Sequence, residues 1–153
     1  MALLDLLLDE LAAGLPHLRG AAVTAELPMR QDVLDRLLVM TPGLPRDLRV
    51  EIGPDRQLLV RVGPFHANAR LAPALTLSPT PRLTVELASQ LVAWGLRAVS
   101  LPPFVELAGR LVHVHLAAVP ALRSLAPLWP HLAEAAFAST PGQLDVRLAI
   151  RVR

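Results

Sequence analysis

The 153-residue sequence has no cysteine, no tyrosine and no lysine. Without cysteine there is no disulfide framework, no thiol nucleophile and no zinc-thiolate site, and the redox compartment goes unreported. Without lysine there is no P-loop and no Schiff-base chemistry. All 15 basic residues are therefore arginine, which inflates the sequence pI to 10.9 while the formal charge at pH 7 is only +2. Aromatic residues make up 3% of the chain (Phe65, Trp94, Phe104, Trp129 and Phe137). They offer no stacking platform, and with no basic helix present the composition argues against nucleic-acid binding. The 8 glycines are never two apart, so no dinucleotide fingerprint exists. No serine sits in a GxSxG elbow, and HExxH is absent.

Long uncharged runs are missing too. The longest stretch without Arg, Asp or Glu is Leu111–Leu122, 12 residues, which is too short to cross a bilayer. The start, MALLDLLLDE, has no basic region and carries Asp5, Asp9 and Glu10, which argues against a signal peptide. The expectation is a soluble or peripheral protein, cytoplasmic by default. Residues 1–45 hold six acids against three arginines, and residues 46–153 hold seven against twelve. The acids are interspersed throughout, which describes a solvated mixed-charge surface.

What the sequence has in excess is aliphatic side chain. Hydrophobic residues are 53%, and with the 8 glycines the share reaches about 58%. Ordinary domains sit near 45–50%, so about a dozen apolar residues are surplus. That excludes disorder, and the length is that of one domain spanning residues 1–153.

Leu3, Leu4, Leu7, Leu8 and Leu11 recur at helical spacing and predict a helix over residues 1–14, stopped by Gly14 and Pro16. Leu6 and Leu8 widen its apolar face, so it would bury surface on two sides. A second helix is expected from Pro28 to Met40, with Val33, Leu34, Leu37 and Leu38 as its stripe and Thr41-Pro42-Gly43 as its end. The period then changes to two. Leu48, Val50 and Ile52, the turn Gly53-Pro54-Asp55-Arg56, and Leu58, Val60 and Val62 read as a hairpin. Residues 67–77 read as a strand that Pro73 confines to an edge or a bulge, and residues 82–87 as another strand. Residues 88–100 fit a short helix (Leu91, Val92, Leu96, Val99), with continuation of the preceding strand as the alternative. A second hairpin runs from Phe104–Leu107 to Leu111–Leu116. Pro120 opens a helical region reaching Phe137, kinked or split by Pro127 and Pro130, and Leu144 to Val152 close the chain as a two-faced strand. Hairpin connections imply an antiparallel sheet, and leucine-rich helices must cover its dry face. The expected class is α+β, a curved antiparallel sheet of six to seven strands around amphipathic helices.

Three constellations are candidates for chemistry. His113 and His115, two apart on a strand, face the same way and could meet His131 at a metal, but they lie on the polar side and read as a solvated pair. Glu86 and Glu106 could be paired carboxylates, but both alternate with apolar residues and point outward. Arg147, Arg151 and Arg153 could meet phosphate or anionic headgroups, against a solvated strand as the plain reading.

The element order, with the segments LPPFVELAGRLVHVHLAAVP and GQLDVRLAIRV, resembles the tubular lipid-binding (TULIP) superfamily over roughly residues 28–153. The resemblance implies a highly curved sheet around a long helix, a cavity for acyl chains, no catalytic residues and no cofactor. The expectation is a non-enzymatic protein that binds or transfers a lipid or other long apolar molecule. Its wall would come from Leu34, Leu37, Leu38, Val60, Val62, Val85, Leu87, Val112, Val114, Leu148 and Ile150. Peripheral membrane contact is compatible with this. The alternative is an interaction module whose surplus forms a homodimer or partner interface, with residues 1–14 as donor.

Overall fold

A computed structural model describes residues 22–78, 80–98 and 100–152, together with Asp9, Ala13 and Gly20. The helix expected over residues 1–14 lies outside the described residues except at Asp9 and Ala13, which are joined by one backbone hydrogen bond of 2.9 Å. The described residues form nine strands in two antiparallel sheets, with two α-helices and two stretches of 3-10 helix, an α+β arrangement.

The strands are β1 (Ala22–Arg30), β2 (Arg49–Ile52), β3 (Gln57–Val62), β4 (Phe65–Leu71), β5 (Arg82–Leu87), β6 (Val105–Ala108), β7 (Leu111–His115), β8 (Leu132–Thr140) and β9 (Gln143–Arg151). Helix α1 (Gln31–Met40) follows β1 directly, and α2 (Gln90–Arg97) joins β5 to β6. One sheet has the order β1-β9-β8, the other β2-β3-β4-β5-β7-β6. Both hairpins read from the period-two pattern are present, as is the closing strand. Residues 88–100 contain the helix, started by Ser89, whose side chain accepts from the Val92 N–H.

Three expectations are corrected. The single sheet of six to seven strands is two sheets, of three and six strands. Pro28 does not open a helix: it lies in β1 opposite Asp145, and α1 starts at Gln31. β1 is an edge strand, where a missing N–H is tolerated. The helical region expected from Pro120 to Phe137 is 3-10 helix only to His131, and Leu132–Thr140 is a strand. Three prolines in Pro120–His131 deny the segment a regular α-helical ladder. Beyond Pro130, Leu132 and Ala135 turn inward.

Two junctions hold the sheets together. Residues 72–76, leaving β4, lie along β8: Leu75 N–H donates to Ala135 C=O (2.9 Å) and Phe137 N–H to Pro73 C=O (2.8 Å). Pro73 thus contributes only its carbonyl, the one ladder group it has. At the other junction the Gln31 side chain substitutes for a strand beside β2. Its Oε1 accepts from Ile52 N–H (2.8 Å) and its Nε2 donates to Val50 C=O (2.7 Å). Nearby, the β2–β3 turn places Asp55 and Arg56 at φ 52° and 64°, a left-handed pair costly for residues with side chains. Ser139 steadies that turn, its hydroxyl donating to Gly53 C=O (2.7 Å) and accepting from Arg56 N–H (2.6 Å).

The core is thin. Its buried apolar residues include Ile52, Leu71, Leu87, Phe104 and Leu132, but four are only alanines (Ala67, Ala69, Ala93, Ala135). Ala69, Leu87 and Ala93 form its centre, where α2 meets the six-stranded sheet, with Leu58, Val60, Val85, Val92, Leu96, Leu107 and Val112 around them. Small residues on both surfaces let helix and sheet approach closely. Gly43, at φ +87°, brings the loop after α1 against Pro102 in the loop after α2.

Candidate functional site

The β3–β4 hairpin turns through Gly63 and Pro64, pairing Val62 with Phe65. Alternation puts Val60, Val62, Phe65 and Ala67 on the face that carries α2. The helix ends at Arg97, and between it and the hairpin lies a groove of about 410 Å³. Val60, Val62, Phe65, Ala67 and Leu87 line it from the sheet, and Val92, Gly95, Leu96 and Ala98 from the helix and its end. His66 is the one titratable group in the lining. Phe65 is 77% exposed at the rim, an unusual place for an unsupported aromatic ring. The volume lies within the range of small-molecule sites.

A second depression, of about 500 Å³, is polar. It is lined by Gln57, Asn68, Arg70, Glu86 and Arg110, with Ala69, Leu87 and Ala88 at its base. Arg70 stands between Gln57 and Glu86 in the ladder. Glu86 faces Arg110 at 3.5 Å, both side chains being about half exposed.

Of the eleven wall residues expected from the sequence, Val60, Val62 and Leu87 line the groove. Val85 and Val112 pack against the Ala69–Leu87–Ala93 centre, and Val114 pairs with Leu83 and Val105 farther along the sheet. Leu34, Leu37 and Leu38 are on α1, which has no buried residue. Leu148 and Ile150 belong to the other sheet, Ile150 packing with Leu128 on Val152. Phe65, Ala67, Gly95 and Ala98 were not expected at a site. Periodicity finds faces, and it cannot show where a helix stops short of the strands beneath it.

The histidines also differ from expectation. His113 is not solvated: it is 8% exposed, and its Nδ1 shares a 2.9 Å hydrogen bond with the Thr84 hydroxyl. Strand register places Thr84, His113 and Glu106 side by side, with Arg82 opposite His115. Burial is the main reason that the His113 imidazole titrates below its usual range; Arg82 and His115 add to the effect and Glu106 opposes it. His115 Nε2 donates to Glu106 Oε2 at 2.9 Å, and this hydrogen bond holds the Glu106 carboxyl below the usual carboxylate range. A hydroxyl beside an imidazole is the geometry of a nucleophile and base. Here the carboxylate orients His115 and not His113, so the row lacks a third group aligned on its base. Among the described residues no three potential ligands are grouped for a metal, and the His131 Nδ1 is buried without a partner. Glu86 and Glu106 both point outward, each to its own partner. Arg147 faces Glu26 at 3.7 Å, and Arg153 lies outside the described residues.

Among the described residues no helix is long and apolar enough to cross a membrane. No family model, curated protein or solved structure matches the chain.

Proposed function

We propose that this is a non-enzymatic protein that binds or transfers a lipid or another long apolar molecule, held in the groove between α2 and the β3–β4 hairpin. The observation that carries this reading is the groove itself: nine of its ten lining residues offer only apolar side chains or glycine. On this reading the six-stranded sheet curves around its helix as in the tubular lipid-binding superfamily, and the resemblance in element order adds to the case. The expected cytoplasmic location and peripheral membrane contact belong to the same reading.

Burying a methylene contributes about 0.8 kcal/mol, which is about fourfold in affinity. Calorimetric titration with octanol, decanol and dodecanol therefore tests the proposal directly. Affinity should climb up to about fifteenfold for each two-carbon step until the groove is full. Absence of any heat or chain-length trend in the folded protein would remove the reading.

A second reading, an interaction module, rests on different residues. On the edge strand β1, Val23 and Leu27 are about half exposed, and on α1 Val39 and Met40 are 78% and 71% exposed. Light scattering after size exclusion decides it. A dimer that Val39→Glu with Met40→Glu converts to monomer supports this reading, and a monomer at every concentration ends its homodimer form.

A further inference from the structure

The apolar groove and the polar depression flank the same break in the sheet. β4 and β5 pair over Ala69–Leu71 with Val85–Leu87, and a last bond runs from Ala88 N–H to Asn68 C=O (2.9 Å). Beyond it β5 turns away into α2, and Phe65, His66 and Ala67 have no described strand on that side. Alternation sends Ala67, Ala69 and Leu87 to the α2 face, and Asn68, Arg70 and Glu86 to the other. Leu87 lines both cavities, Ala67 the apolar one and Ala69 the polar one. An apolar trough on one face and a basic bowl on the other thus lie beside one notch, with Leu87 in both linings.

We infer that the two cavities are a single site for a single-chain amphiphile with an anionic head, a carboxylate or a phosphate. The chain lies in the groove and the head reaches Arg70 and Arg110. This rests on the groove reading above and adds the class of ligand. Charge complementarity carries it: two guanidiniums and the amides of Gln57 and Asn68 face one carboxylate, Glu86, so the bowl keeps one net positive charge and spare donors. The Glu86–Arg110 pair is long at 3.5 Å and solvent-exposed. Such pairs contribute little, so a ligand carboxylate can share Arg110 at low cost.

The test compares dodecanoate, dodecyl phosphate, dodecanol and dodecyltrimethylammonium by calorimetry at pH 8, in the wild type and in Arg70→Gln with Arg110→Gln. Affinity ratios are read within each protein, so a change in folded fraction cancels. The expected result is dodecanoate and dodecyl phosphate at least about tenfold tighter than dodecanol, the ammonium amphiphile weakest, and a ratio near one in the double variant. In the wild type alone the ratio should also shrink as salt rises from about 50 mM to 500 mM. Equal binding of dodecanoate and dodecanol to the wild type overturns the inference and leaves the groove reading intact. Acetate binding as tightly as dodecanoate overturns it as well, since the bowl would then be a free anion site. Failure of all four amphiphiles to bind overturns both readings.

Discussion

Gly95 tests whether the groove is open space or a gap closed by packing. It lies in the last turn of α2, its φ is not in the left-handed region, and a β-carbon built on it meets nothing within 4 Å. Nothing local therefore requires glycine. Its presence costs the helix about 0.5–1 kcal/mol relative to alanine, and an added methyl would enter the groove without a clash. Gly95→Ala should stabilise the protein by about that amount, raising the melting temperature by roughly 1–4 °C for a chain of this size. Differential scanning calorimetry of both proteins at one pH measures it. Gly95→Phe extends the test: a ring in the groove should leave the fold intact and weaken dodecanol at least about tenfold, because several chain methylenes lose their place. A Gly95→Ala protein that melts below the wild type refutes the reasoning, since something must then occupy the space above Gly95.

Three further changes probe the frame that holds the site. Gln31→Ala strips the acceptor of the buried Ile52 N–H and the donor to Val50 C=O, and should cost about 1–3 kcal/mol in urea unfolding; a shift under about 0.5 kcal/mol means that water replaces the side chain. Ser139→Ala removes both hydroxyl bonds to the strained β2–β3 turn and should cost about 1–3 kcal/mol, with faster amide exchange at Arg56 as its local sign. For His113, the unfolded imidazole takes a proton near the ordinary value of 6.5 while the folded one resists it. Its contribution is thus complete above that pH and declines as pH falls below it toward the lower folded value. Of the charged neighbours, Arg82 and His115 reinforce the effect and Glu106 opposes it. Melting temperatures between pH 8 and 5 should show a slope that is reduced in His113→Gln; parallel slopes would place the pH sensitivity elsewhere.

The parts of the fold legible in the sequence are those where one face is wet. Leu48–Ile52 with Leu58–Val62, and Leu144–Val152, alternate cleanly because their outer residues are solvated, and the structure has strands at all three. β8 was hidden because four of its nine residues are alanine: Ala133, Ala135, Ala136 and Ala138 give no contrast between faces, and the segment read as the end of a proline-kinked helical region. β1 was hidden by Pro28, which suits a helix start and an edge strand equally well, and only the pairing with β9 decides between them. The His113 side of β7 was misjudged for a related reason. Polar residues on alternate positions mark a face as different, not as wet: His113 is buried with its Nδ1 on the Thr84 hydroxyl, while Glu106, its neighbour on β6, stays exposed and bonds His115. Within the candidate site, the apolar rows through Val60, Val62 and Leu87 were visible, whereas the groove depends on where α2 ends.

That dependence is geometric. A six-stranded sheet with strands about 4.8 Å apart is about 24 Å wide between its outer strands, and a seven-residue strand such as β4 is about 23 Å long. An eight-residue helix is about 12 Å long and, with its side chains, about 10–12 Å across. Whatever its direction, α2 cannot cover such a face. The two alanines at the contact, Ala69 and Ala93, draw the two surfaces together and so shorten the reach of the helix over the strands beyond. Apolar rows through Val60, Val62 and Phe65 are therefore left partly uncovered, and Phe65 stays 77% exposed. A larger residue at Ala93 would lift the helix and deepen the groove at the cost of the core, whereas a longer α2 would close it. The short helix on small contact residues thus explains both halves of the observation, a thin core and an open apolar trough, with one cause.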